Sequence, residues 1–374
     1  MSDLTPQFAF LTEADRLKTV TRANVLMDLS RPENSAEHSW HVALYALVFG
    51  ASDRAIAMIL LHDLVEIDVG DQPIHLGHDA AALRIAEDAA ARRLFGLLPQ
   101  GADLLALWRE FEAGATPDAR MAKRLDHLQP LFQVLCAPAP LPEHVGIVRD
   151  NMARGRAARL RAEWPEAMAA ADALLAGRAA QGDFARRLAF LAEADRLKSV
   201  NRASLVDGGA RRENSAEHSW HLALYALVLA GEAGSEVTIG RVIRMLILHD
   251  LVEIDTGDVP IHSANGQAHH GAAQLQAEAE AARRLFGLLP QPQGAALLGL
   301  WQEFEADDSP DAVFGKSLDR AQPVMQNIAS GGGSWVEYDV THAQLVERVG
   351  ARIQRGAPRV WDWLDARAQV FFAR

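Results

Sequence analysis

Four residues with metal-ligand chemistry occur in one order and then occur again. His38, His62, Asp63 and Asp126 are matched by His218, His249, Asp250 and Asp319. The words ENSAEHSW and LHDLVEID surround them both times, and His38 and His218 stand 180 residues apart. Imidazole nitrogen together with carboxylate oxygen suits borderline divalent ions such as Mn, Co, Fe or Zn, and Mg less well. The His-Asp pair lies in the apolar run AIAMILLHDLVEI, where an unpaired carboxylate is costly and a cation would satisfy it. A hydrogen-bonded core histidine beside a capping Asp explains an isolated pair equally well. The full set, present in both halves, favours a divalent ion, one per half.

Other repeated residues surround this set. Glu66, with its counterpart Glu253, follows the first histidine of the pair by four positions. On a helix that spacing places it on nearly the same face, where a carboxylate can take a proton from water activated by the metal; the bland alternative is a Glu that holds a ligand or an Arg. Arg22 and Arg202 are the candidate phosphate contacts, because a guanidinium fork matches phosphate oxygens. Arg16 and Lys18 read as a solvated helix face. His41 and His221, one turn beyond His38 and His218, read as packed side chains. The Trp residues of LWREFEA and LWQEFEA read as core. His75 and His262, in the repeated PIH, stay open between surface turn, ligand and substrate contact.

These residues need elements to position them. FLTEADRLKTVTRA at 10–23 returns as FLAEADRLKSVNRA at 190–203, and ARRLFGLLP at 91–99 returns at 282–290. The offset grows from 180 to 187 across GEAGSEVTIGR, as a surface insertion would make it. A period this long is a duplicated domain and not a solenoid. The expected boundaries are 1–180 and 181–374, with the linker near Gly177 to Gly182. Each half reads as helical. Ser35 stands where an N-cap is expected and Glu37 falls in the first turn. AIAMILLHDLVEI reads as one central helix, stopped at Gly70 with Pro73 beyond. Alternating strand patterns are scarce. The fold class is therefore all-α, in two tandem helical bundles related by duplication.

Composition narrows the function. The net charge of −12 argues against a surface for a nucleic-acid polymer. It leaves room for a small anionic substrate, since a metal and one or two Arg reverse the field locally. A single cysteine, Cys136, excludes an internal disulfide and cysteine-ligated zinc. No apolar run is long enough to span a membrane, and MSDLTPQFAF has no basic segment before an apolar one. A cytoplasmic protein without a membrane partner is the expectation.

The pattern H…HD…D, with HDLVEI followed by GD, resembles the HD-domain metal-dependent phosphohydrolases. EHSW, HDLVEIDxGD, RRLFGLLP and LDRAQP narrow the resemblance to the branch that includes the bacterial 5′-deoxynucleotidases, and it covers nearly all of each half. The resemblance implies an all-helical domain holding one divalent ion through His38, His62, Asp63 and Asp126, and through His218, His249, Asp250 and Asp319. It implies Glu66 and Glu253 as the carboxylates that assist water attack, and Arg22 and Arg202 as phosphate contacts. The expected reaction is hydrolysis of (deoxy)nucleoside 5′-monophosphates. Members of this branch are usually single domains that dimerise, so two fused copies imply an intramolecular pseudo-dimer, open to further homo-oligomerisation. Alternatives are hydrolysis of an alarmone or a nucleoside triphosphate, a diiron oxygenase using further histidines, and a non-catalytic nucleotide-binding module. The copies diverge after the last Asp: FQVLCAPAPLPEHV in the first stands against MQNIASGGGSWVEYDV in the second, which alone has the Gly-rich segment and Trp335.

Overall fold

The computed structural model describes residues 3–73, 79–206, 209–263 and 271–373. His75 and His78, with His269 and His270, lie outside them. The first repeat runs through α1 (Thr5–Asp15), a hairpin of β1 (Thr21–Val25) and β2 (Pro32–Asn34), α2 (Ser35–Val48), α3 (Asp53–Leu61) and α4 (Glu66–Val69). It continues through α5 (Ala80–Phe95), α6 (Gly101–Ala113), α7 (Pro117–Leu135), α8 (Pro142–Arg154), α9 (Leu160–Glu163) and α10 (Pro165–Leu175). The second repeat opens with α11 (Gly182–Ala194), β3 (Asn201–Val206), β4 (Arg211–Asn214), α12 (Ser215–Val228), α13 (Ile239–Leu248) and α14 (Glu253–Thr256). Then come α15 (Ala272–Phe286), α16 (Gln293–Ala306), α17 (Pro310–Ala329), α18 (Ser334–Glu337), α19 (His342–Leu345), α20 (Ala351–Gly356) and α21 (Pro358–Phe372). The fold is all-α, as expected, with two short antiparallel ribbons that the sequence patterns did not announce.

The chain forms two compact units, and they do not run 1–180 and 181–374. One unit comprises residues 1–18, 197–284 and 296–374; the other comprises 19–196 and 285–295. The opening helix of each repeat therefore packs with the other repeat's bundle. In the unit holding the second repeat's α12, Phe8 of α1 is fully buried and stacks on Trp363 at 4.1 Å. In the unit holding α2, Phe184 of α11 packs against Phe49 and Phe132. The cause is physical: each opening helix offers a Phe and Leu stripe, and burial is rewarded wherever an apolar face accepts it.

Local signals set the helices around each site. Asn34, not Ser35, is the N-cap of α2. Its side chain accepts from Glu37 N at 3.0 Å while Glu37 returns a bond to Asn34 N at 2.9 Å, a full capping box. That frees the Ser35 hydroxyl for another partner. α12 repeats the arrangement with Asn214 and Glu217. α7 starts at the Thr116 cap with Pro117 in its first turn, and α17 does the same with Ser309 and Pro310.

The run AIAMILLHDLVEI is not one helix. α3 ends at Leu61, and the chain tightens through His62–Val65 with i to i+3 bonds, Leu64 N to Leu61 O at 3.2 Å and Glu66 N to Asp63 O at 2.9 Å. The second repeat forms a 3₁₀ turn over His249–Val252. At three residues per turn, Asp63 and Glu66 fall one above the other, and so do Asp250 and Glu253. α4 then stops at Gly70, whose φ of 73° suits glycine.

Candidate metal centres

Three elements carry the first site. α2 supplies His38, the tight turn after α3 supplies His62 and Asp63, and α7 supplies Asp126. All four meet. His38 Nε2 lies 3.0 Å from Asp126 Oδ1 and 3.9 Å from Asp63 Oδ2; His62 Nε2 lies 3.1 Å from Asp63 Oδ1 and 3.5 Å from Asp126 Oδ1. The second site repeats this within 0.3 Å, at 3.1, 4.0, 3.0 and 3.8 Å for His218 and His249 with Asp319 and Asp250. Ligands at about 2.1 Å from a shared ion stand roughly 3 to 4 Å from one another.

The second nitrogen of each ring is tied down. His62 Nδ1 donates to the Ile59 carbonyl at 2.6 Å, and His249 Nδ1 donates to Leu246 at 2.8 Å. His38 Nδ1 donates to Gln129 Oε1 at 3.0 Å, and His218 Nδ1 to Gln322 Oε1 at 3.1 Å. Those acceptors place one proton on Nδ1 and turn Nε2 into the cluster, where it can hold either a proton or a metal. The Nε2 atoms of His62 and His249 are buried with no hydrogen-bond partner among the described residues. A buried polar atom without a partner is expensive unless something binds it. The residues present fit a divalent cation.

The charges around the site agree. Burial and Arg22 push the His38 imidazole down, but Asp126, Glu33 and Asp63 outweigh them and raise it to about 9. Burial works against ionised Asp126, yet His38 and His62 hold it well below the usual carboxylate range. Burial also opposes ionised Asp250, which His249 and Arg202 nonetheless hold at about 2.

Glu66 lines the cavity beside the cluster. Its Oε2 accepts from the Ser35 hydroxyl that the capping box released, and Glu253 pairs with Ser215 in the same way. Burial, with Asp63 beside it, raises Glu66 to about 8, and the same causes raise Glu253 well above its ordinary value. Arg22 on β1 reaches Asp63 Oδ2 at 2.9 Å and stands 3.6 Å from Glu66 and 3.5 Å from Asp71. Arg202 on β3 repeats this with Asp250, Glu253 and Asp258 at 2.8, 3.6 and 3.5 Å. Its Nε is buried without a hydrogen-bond partner.

His41 is no ligand of the cluster. Its Nε2 donates to Leu191 O at 3.0 Å, and its Nδ1 accepts from Gln129. His262 lines the second cavity, and burial with Arg348 and Arg320 lowers it to about 4. Trp108 and Trp301 are core, with indole N–H groups donating to the carbonyls of His62 and His249 at 3.2 and 3.1 Å.

The sequence reading missed three groups. Gln129 and Gln322, one helical turn after the last Asp of each candidate ligand set, accept from Nδ1 of His38 and His218. Their signal was the repeated Q of LDHLQP and LDRAQP. Arg320 bonds Asp319 Oδ2 at 3.1 Å, where the first repeat has His127. Lys18 is not on a solvated face. It is fully buried, 2.6 Å from Glu213, in contact with Asp15, and 3.1 Å from His221 Nδ1. Glu213 Oε2 in turn stands 3.5 Å from Nδ1 of the candidate ligand His218.

Residues 14–168 and 194–361 match the HD domain family, and the chain belongs to it. The chain is 30% identical over 162 residues to the 5′-deoxynucleotidase HDDC2 of Bos taurus, across 43% of this chain and 73% of that one. It is 29% identical over 130 residues to a 5′-deoxynucleotidase of Erwinia tasmaniensis, across 33% and 64% of the two chains. A solved structure from Magnetospirillum magnetotacticum MS-1, described as a predicted metal-dependent phosphohydrolase, is 41% identical, with 51% of this chain and 96% of that chain covered at a TM-score of 0.47. Among the described residues no helix is long and apolar enough to cross a membrane.

Proposed function

We propose that the chain is a metal-dependent phosphohydrolase that releases phosphate from nucleoside 5′-monophosphates, deoxyribonucleotides among them. The observation that carries this reading is the unpartnered Nε2 of His62 and of His249, each among two carboxylates and a second histidine. The relatives named 5′-deoxynucleotidase supply the substrate class.

His38, His62, Asp63 and Asp126 would hold one divalent ion, and His218, His249, Asp250 and Asp319 another. When bound, such an ion supplies a Lewis acid that lowers the pKa of water and offsets phosphoryl charge. Glu66, anchored by Ser35, takes a proton from the attacking water. A carboxylate whose basicity burial has raised is a stronger base, in its ionised form, than an ordinary one. Glu253 does the same in the second site. Arg22 and Arg202, held by carboxylates on one side, present their remaining N–H groups to phosphoryl oxygens. The substrate's phosphate thereby meets cationic groups in a site that is otherwise acidic.

The test is phosphate release from a panel of ribo- and deoxyribonucleoside monophosphates, with Mn, Co, Mg or Zn returned to metal-stripped protein. Release should depend on metal and vanish when Asp63→Asn and Asp250→Asn are combined. Release that persists in that double variant would remove the clusters from the chemistry.

A further inference from the structure

The two sites share a floor and differ in the roof. Both cavities are floored by the same residues: the His-Asp pair, the last Asp, the Glu, the Arg on the β-ribbon and a Phe from α6 or α16. Measured identically, the first cavity is about 1230 Å³ and the second about 140 Å³.

The second is narrowed by the segment that the first repeat lacks. Trp335 is 2% exposed, packed on Phe371 and Phe372 at 5.4 and 5.0 Å, and it lines the cavity with Tyr338. The turn that delivers it needs glycine. At Gly332, φ is 116° and a Cβ would stand 2.5 Å from Phe371. Arg320, on the ligand Asp319, fills more of the space.

Among the described residues the first cavity has no such roof, and its wall carries more basic side chains than acidic ones, Glu87, Glu112, Glu143 and Glu163 being among the acidic ones. Arg84 from α5, with Arg156 and Arg159 from the turn after α8, lines it. None of these three makes an ion pair with a described residue, unlike neighbouring Arg124, which pairs with Glu163 at 2.8 Å. Arg84 and Arg156 both act electrostatically on Glu87, which lines the same cavity. Unpaired guanidinium groups along one wall, continuous with a metal cluster, match a ligand with a second anionic group beyond the reacting phosphate.

We infer that the two sites serve different substrate classes: the first takes a nucleotide bearing a second phosphate, which Arg84, Arg156 and Arg159 contact, and the second takes a compact monophosphate. This rests on the phosphohydrolase reading above. The step is unchanged: a water oxygen bonds to phosphorus, the P–O ester bond breaks, and the ester oxygen leaves with a proton derived from that water. The second phosphate stays on the departing nucleoside.

The experiment silences one site at a time and offers deoxyadenosine 5′-monophosphate or adenosine 3′,5′-bisphosphate. Asp250→Asn protein should favour the bisphosphate by about tenfold or more in kcat/KM, the scale of one charged hydrogen bond. Adding Arg156→Ala and Arg159→Ala should erase that ratio, and raised salt should weaken it. Asp63→Asn protein should favour the monophosphate. Equal ratios in the two single-site proteins overturn the inference. Silence of the wild-type chain toward both substrates, with every metal, overturns the phosphohydrolase reading instead. In that case calorimetric titration of metal-stripped wild-type protein with adenosine 3′,5′-bisphosphate decides. One site per chain, weakened about tenfold by the two Arg substitutions, supports the inference; two equal sites, or no effect of the substitutions, overturns it.

Discussion

Replacing Lys18 by Met should destabilise the unit that holds the second repeat's site, although residue 18 belongs to the first repeat. Lys18 and Glu213 are both fully buried, with Nζ and Oε1 2.6 Å apart. Burial disfavours the ammonium, but Asp15, Glu213 and Glu217 raise its pKa in spite of that. Burial likewise opposes ionised Glu213, and Lys18 and His218 still hold it well below its ordinary range. Removing the cation leaves Glu213 with the amides of Gln322 and Gln326, both at 2.8 Å, and a more distant Arg202 at 3.8 Å. Breaking a buried pair from one side costs about 3–5 kcal/mol. For a unit of roughly 150–250 residues each kcal/mol moves Tm by about 2–4 °C, so a fall on the order of 10 °C is expected. Calorimetry of wild type, Lys18→Met, Glu213→Gln and the double variant measures it. The double variant should lose less than the sum of the singles, since no charge is then left buried. A loss under about 1 kcal/mol for Lys18→Met, the range of a surface pair, would refute the reasoning.

Other outcomes follow from the same geometry. Deleting residues 1–18 should abolish high-affinity metal binding at the second site in a titration, because it removes Phe8, which stacks on Trp363, and Lys18, which holds Glu213; unchanged binding by the truncated chain would contradict it. His221 is lowered to about 3 by burial and by Lys18, so it stays neutral when folded and protonates on unfolding. Its contribution is present above about pH 6.5 and is lost as pH falls toward 3, on the order of a few kcal/mol; acid unfolding followed in wild type and His221→Phe should differ in that window. Cys136 is pushed up to about 12 by burial, so its reaction with a disulfide reagent at pH 8 should be at least about a hundredfold slower than in urea-unfolded protein. Equal rates would show the thiol to be exposed and ordinary.

Much of the fold could be read from the chain because it rests on local signals: apolar periodicity, acidic first turns and the glycine stop at Gly70. The exchange of opening helices could not. FLTEADRLK and FLAEADRLK carry the same stripe whichever bundle receives it, and periodicity records that a face is buried without recording against what. The ribbons escaped for a different reason. TRANV and PEN are too short to alternate, and their pairing is accompanied by a bond from Ser35 N to the carbonyl of Val20 at 3.0 Å.

Within the sites the same division holds. His62, Asp63 and Glu66 are close in sequence, so their association needed only a turn, although a tighter one than a helix supplies. Lys18 was misread because a lysine alone is most often solvated, and its counter-charge Glu213 lies 195 residues away. Duplication explains why that distance is tolerated. Each repeat carries both the opening segment and the glutamate, so an exchanged helix still brings a lysine to a glutamate, as Lys18 does to Glu213, whose Oε2 stands 3.5 Å from Nδ1 of His218. The roof segments carry no such obligation. Trp335 and the Arg156–Arg159 turn touch neither the ligands' second nitrogens nor the buried charges, so they could diverge without disturbing the metal clusters beneath them.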